Sequence, residues 1–170
     1  MGGTFWQPLT WIMFHTLALN YEERYKDHYI TFFDSLKTII PCKMCRDHYT
    51  NFLNKNNINN VNLFNWTIDM HNNVNRMNHT KQWSHEESYN YYKNNNFSNQ
   101  VLKNFIIQYI QSNFKKSPLK TGELLRMLKT LPYLHPDESK RTQLIEFKEK
   151  FDLTRGNIRK WITAFIIIIK

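Results

Sequence analysis

The stretch "NWTIDMHNNVNRMN", residues 65–78, decides how this chain is read. At helical spacing His71, Val74, Asn75 and Asn78 fall at i, i+3, i+4 and i+7, so one face of the segment is half polar and half apolar. Such a face is not plain core, because a buried imidazole or amide needs hydrogen-bond partners. The spacing therefore predicts a helix over residues 63–78 that turns His71 and Asn75 toward a site.

Working outward, the 170-residue chain carries 4 glycines and 5 prolines against 41% hydrophobic and 15% aromatic residues. Sparse turn punctuation and an ample apolar fraction predict an all-α globular fold with a real core. The abundance of Asn, Lys and Ile reads as compositional bias, not as function. Net charge is +9 but uneven: residues 1–100 hold nine Lys/Arg against eight Asp/Glu, and residues 101–170 hold fourteen against six. An acidic partner would meet the second part. The N-terminus lacks a basic stretch followed by an apolar run, so no secretory signal is expected. Gly2 suggests myristoylation, but Trp6 stands where that motif wants Ser or Thr. The apolar C-terminus "WITAFIIIIK" is too short for a membrane span, so a soluble protein is expected.

Further helices are expected over residues 8–20, 22–37 and 41–54, the last with Pro41 in its first turn, where a missing N–H does no harm. "SHEE" from Ser84 reads as a capping box opening a helix that runs to about residue 92. Beyond a soft boundary near residue 98, one helix over 101–114 precedes several short basic helices, broken at Pro118, Gly122, Pro132, Pro136 and Gly156. The organisation expected is a domain over 1–98 and a basic, mostly helical region over 99–170.

Both cysteines lie in "IIPCKMCRDHY", residues 39–49. With Pro41 opening the helix, Cys42 would sit at its N-terminus and Cys45 one turn on. Free amides, the positive dipole end, Lys43 and Arg46 there favour thiolate, as a redox dithiol needs. A zinc site drawing Cys42, Cys45 and His48 together with His71 or His79 is the chemical rival. Against zinc, the three would run along one helix with no second CxxC, so no metal is assigned. Two inert buried cysteines are the third possibility.

Taken together, WxxxH (Trp11 to His15), PCxxC with a histidine three residues on (Pro41, Cys42, Cys45, His48), Trp66, and HNxVN (His71, Asn72, Val74, Asn75) resemble the FAD-linked sulfhydryl oxidases of the Erv/ALR family. The likeness runs in order over residues 4–92, and Lys81 follows near the family's lysine. It implies a four- or five-helix bundle with FAD between the helices, and thiol oxidation that passes electrons from substrate proteins to O₂. Cys45 would be the flavin-proximal, charge-transfer cysteine and Cys42 the interchange cysteine. Trp11, His15, Tyr21, His48, Trp66, His71, Asn72, Val74, Asn75 and Lys81 would line the cofactor.

Family members commonly add a shuttle cysteine pair, and this chain has none. The resemblance therefore implies direct exchange at Cys42, a thioredoxin-like or shuttle-cysteine partner, or a sequence from which cysteines have been removed. The cysteine-poor form is most similar to those of large cytoplasmic DNA viruses, which implies host cytoplasm or virion. A homodimer is expected. Residues 99–170 read as a helical appendage; nucleic-acid binding through Arg155, Asn157, Arg159 and Lys160 on a turn between two short helices ranks below that. The competing functions are a zinc-stabilised module and a basic nucleic-acid or protein-binding module.

Overall fold

The computed structural model describes residues 6–59, 61–94 and 97–170, with side chains from residue 8 onward. The myristoylation reading at Gly2 lies outside them, as do residues 95 and 96, just before the expected boundary near residue 98. Among the described residues the regular structure is helical, in chain order α1 Trp6–Leu19, α2 Lys26–Ile39, α3 Lys43–Lys55, α4 Leu63–Met77, α5 His85–Asn94, α6 Asn99–Asn113, α7 Pro118–Leu134, α8 Glu138–Lys150 and α9 Ile158–Ile169.

Helix starts follow local chemistry. Asn62, Ser98, Ser117 and Asp137 each accept a backbone N–H with the side chain, capping α4, α6, α7 and α8. The expected capping box forms: Glu87 N–H donates to Ser84 Oγ at 3.0 Å, and Ser84 N–H donates to Glu87 Oε2 at 2.8 Å. α2 begins later than residue 22 because a 3₁₀ turn over Glu23–Tyr25 comes first.

Two expectations are corrected. Pro41 and Cys42 do not lie inside α3. Cys42 is its N-cap, extended at φ −81° and ψ 123°. The reach of Arg46 explains the offset, since its Nη1 donates back to the carbonyls of Ile40 and Pro41 and pins the segment outside the helix. Nor do Gly122 and Pro132 break the chain, because α7 runs through both. Pro132 falls in the last turn and forfeits one hydrogen bond, while Leu124, Met127, Leu128, Leu131 and Leu134 are all buried. Tertiary burial outweighs the local preference.

Gly122 then has no packing reason to be glycine. A Cβ built there meets nothing within 4 Å, and no glycine described has positive φ. Gly122→Ala is expected to raise unfolding free energy by about 0.5–1 kcal/mol, read as a higher urea midpoint at unchanged m-value.

Buried side chains form one core that spans both sides of residue 98. Phe14 packs edge-on against Phe32 and Phe33, Phe33 against Trp66, and Phe32 meets Phe105 of α6 at 6.1 Å between ring centroids. α1 lies between α4 and α6, and α2 runs along α7. The basic region is thus joined to the rest through packing. Arg141 of α8, nearly fully buried, pairs with Glu22, donates to the His135 carbonyl at 2.9 Å and stands over the Tyr25 ring. The α9 start leaves Arg155, Arg159 and Lys160 exposed, while Trp161, Ile162 and Phe165 are buried.

Candidate active site

Cys42 and Cys45 form a disulfide across the first turn of α3, with Cα atoms 5.2 Å apart. The Cys45 N–H donates to Cys42 Sγ at 3.2 Å, so the cysteine is itself the capping acceptor of the helix. A thiolate on Cys42 would sit where free amides and the helix dipole stabilise negative charge.

The two sulfurs have different surroundings. Cys45 opens into a largely apolar cavity walled by Trp11 and Phe14 of α1, His48 and Phe52 of α3, and Met70 and Val74 of α4. Cys42 is not part of that wall. Thr10 is, its Oγ1 buried beside the Tyr109 hydroxyl.

A second cavity lies on the other side of His71, walled by His15, Ile68, His71, Asn72, Ser88 and the aromatic rings of Trp83, Tyr91 and Tyr92. The wall between the two is a flat stack: Trp11 on His71 at 4.1 Å and 8°. Asn72 builds the outer side, its Nδ2 donating to the Trp83 carbonyl at 2.7 Å and its Oδ1 accepting the Trp83 N–H at 2.9 Å. Lys81 stands over the Trp83 ring and pairs with Glu87.

Hydrogen bonding assigns the imidazole tautomers. Thr67 Oγ1 gives its one proton to the Phe64 carbonyl at 2.8 Å, so it can only accept from His15 Nδ1–H at 3.0 Å. His15 Nε2 is then bare and accepts from His71 Nδ1–H at 2.9 Å. His71 Nε2 is left as an acceptor, on a ring that borders the second cavity. Burial, helped by the neighbouring His71, holds His15 well below its ordinary range, and burial lowers His71 to about 4. Both rings are neutral at pH 7.

The folded values lie below the unfolded one, so the unfolded chain takes up protons first as pH falls. The stability these rings contribute is whole above pH 6.5 and declines as pH drops toward 4. His71 alone removes about 2 kcal/mol between pH 7.5 and pH 5, and His15 acts in the same direction. Urea titrations at the two pH values check this, and His71→Phe should flatten the dependence.

Of the residues singled out from sequence, the structure brings Trp11, Cys45, His48 and Val74 to the first cavity and His15, His71 and Asn72 to the second, with Lys81 at its rim. It does not bring three others there. Trp66 is buried between Phe33 and Phe52 and donates Nε1–H to the Asn56 carbonyl. Tyr21 bonds Glu23 and packs on Tyr29. Asn75 closes the end of α4, with its carbonyl and Oδ1 taking the amide and hydroxyl of Thr80. Thr10, Thr67, Trp83, Tyr91 and Tyr92 were missed, and only the aromatic density of residues 83–92 hinted at the last three. Among the described residues no three His, Cys, Asp or Glu side chains converge to hold a metal ion, and no helix is long and apolar enough to cross a membrane.

The Erv1 / Alr family model matches residues 8–100, which cover α1 to α5. Similar proteins include a probable FAD-linked sulfhydryl oxidase of Acanthamoeba polyphaga mimivirus, 36% identical over 93 residues, 49% of this chain and 65% of the relative. An FAD-linked sulfhydryl oxidase of African swine fever virus is 37% identical over 98 residues, 54% of this chain and 79% of the relative. The chain thus spans just under two thirds of the mimivirus protein's length. No solved structure matches the chain significantly.

Proposed function

Because the chain belongs to the Erv1/Alr family, we propose that it is an FAD-dependent thiol oxidase that makes disulfide bonds in substrate proteins. The observation that carries this reading is the asymmetry of the pair: Cys45 opens into the cavity of Trp11, His48 and Val74, and Cys42 caps α3 outside it.

The residues fit the cofactor. The flat Trp11–His71 stack and the apolar wall suit a planar ring. His71 Nε2 would accept from an amino or hydroxyl donor placed in the second cavity. Trp11, His15, Cys45, His48, His71, Asn72 and Val74 would hold FAD, with Lys81 at the rim. Tyr21, Trp66 and Asn75 support the scaffold that holds them.

In the reaction a substrate thiolate attacks Cys42 Sγ, the Cys42–Cys45 bond breaks, and Cys45 leaves as a thiolate facing the cavity. A second substrate thiolate attacks the mixed disulfide. The substrate disulfide departs and Cys42 leaves as a thiolate, held by the Cys45 amide. Two thiols have then lost two electrons and two protons. FAD, when bound, supplies the two-electron acceptor that passes the pair to O₂, giving H₂O₂ and allowing the cysteines to rejoin.

A homodimer belongs to the same proposal, as do a shuttle-cysteine or thioredoxin-like partner, which the single cysteine pair supports, and action in host cytoplasm or virion, which the viral relatives support. The purified protein should be yellow with flavin absorption and should consume O₂ with dithiothreitol. A colourless protein that holds zinc instead sinks the reading.

A further inference from the structure

The role of α7 follows from its register on α2. His28 stacks on Tyr133 at 3.7 Å, and Asp34 receives Arg126 Nη1 at 3.0 Å. The two helices are therefore antiparallel: six residues forward on α2 is seven back on α7. One more such step pairs Ile40 with Leu119. A separate contact agrees, because Asn113 at the end of α6 donates Nδ2–H to the Ile39 carbonyl at 2.8 Å. The α6–α7 turn and the first residues of α7 thus stand at the end of α2 from which the chain enters Pro41 and Cys42.

Two large apolar side chains are exposed at or near that end. Leu119 and Met44 are 67% and 65% exposed, the most of any exposed large hydrophobic described. Met44 lies between the two cysteines in sequence, and Leu119 comes from the α7 start. Beside Leu119 in the chain come the exposed Lys115 and Lys116 and the half-exposed Lys120, which make no ion pair among the described residues, Lys115 standing over the Phe114 ring, whereas Lys37 and Lys43 are paired with Asp34 and Asp47.

Hydrogen bonds also tie the platform down. Lys115 is held at φ 62° with its N–H on Thr121 Oγ1, the Lys116 N–H returns to the Asn113 carbonyl, and Ser117 caps α7. A pre-ordered surface needs less ordering when a partner arrives.

We propose that Met44, Leu119 and the lysines at 115, 116 and 120 form the docking surface for substrate, and that it takes an extended polypeptide segment with acidic and large apolar residues beside its reactive cysteine. This rests on Cys42 being the exchange cysteine, as the function above has it. Apolar side chains on the segment cover Leu119 and Met44, and its carboxylates meet the unpaired lysines. The basic region thereby acquires a task in substrate selection without taking part in the chemistry.

The test uses the flavin-loaded full chain and two readouts. The first is binding, by fluorescence anisotropy, of a labelled peptide in which serine replaces the cysteine between aspartates and leucines. Lys115→Glu/Lys116→Glu and Leu119→Ser should each weaken it at least about tenfold, and added salt should weaken wild-type binding. The lysine variant should favour a peptide with lysines in place of aspartates. The second readout, dithiothreitol oxidation, should change less than twofold, because these residues are not in the cysteine or cofactor machinery.

Equal binding of both peptides by wild type and variants overturns the docking surface even if dithiothreitol is oxidised normally. A change in oligomeric state in the Leu119→Ser variant also overturns it, by making a second copy of the chain the occupant. Failure of wild type to oxidise dithiothreitol overturns the oxidase reading instead, and peptide binding still decides the surface.

Discussion

Cys45→Ser is expected to lower the dithiothreitol-driven oxygen consumption of the proposed oxidase at least about a thousandfold while leaving the fold in place. A serine hydroxyl cannot form the bond that substrate thiolate must break, so Cys42 has no disulfide with which to accept electrons from substrate. The fold survives because the change is nearly isosteric and the α3 cap uses the backbone amide of residue 45, not its side chain. The two single variants differ informatively. Cys45→Ser keeps a Cys42 thiol at the outer helix end and should accumulate a mixed disulfide with oxidised glutathione, seen by mass spectrometry. Cys42→Ser leaves a thiol that opens into the walled cavity and should react more slowly. Retained turnover in Cys45→Ser would refute the assigned electron path.

Trp66→Ala costs about 3–5 kcal/mol of stability. Its ring is 3% exposed, with Phe33 and Phe52 at 5.3 and 5.4 Å between centroids. Truncation also leaves the Asn56 carbonyl without the indole N–H. Any effect on the site is indirect, because Phe52 stands between Trp66 and the cavity that Cys45 borders. Trp66→Phe should recover much of the stability and keep the flavin-to-protein ratio of wild type. A Trp66→Phe protein of wild-type stability without flavin would make Trp66 a cofactor contact after all. Calorimetry with absorbance at the flavin maximum separates the two.

The parts of the site legible in the sequence were those written in short-range chemistry. A serine three residues before a glutamate announces the start of α5, and helical spacing announces α4 and brings His71, though not Asn75, to a cavity; the proline before the cysteine pair marks the start of α3 only to within two residues. Less legible was anything set by which helix packs on which. Gly122 and Pro132 read as breaks because nothing nearby reveals that the face between them is buried. Trp66 and Val74 are both apolar positions on α4, yet one faces core and the other a cavity, a difference fixed by α1 and α3. The His15–His71–Thr67 chain joins residues 52 and 56 positions apart and needed the crossing of α1 with α4 to appear.

The cysteines' separation of three residues carries a last consequence. A crosslink stabilises a protein largely by restricting the unfolded chain, and a loop this small restricts it by only about 2 kcal/mol, against nearly 5 for a loop of a hundred residues. Opening this bond leaves most of the architecture's stability untouched, since the core and the α3 cap do not depend on it. The bond is a hinge pin that the proposed oxidase cycle could draw and replace, mechanically separate from the frame that carries it.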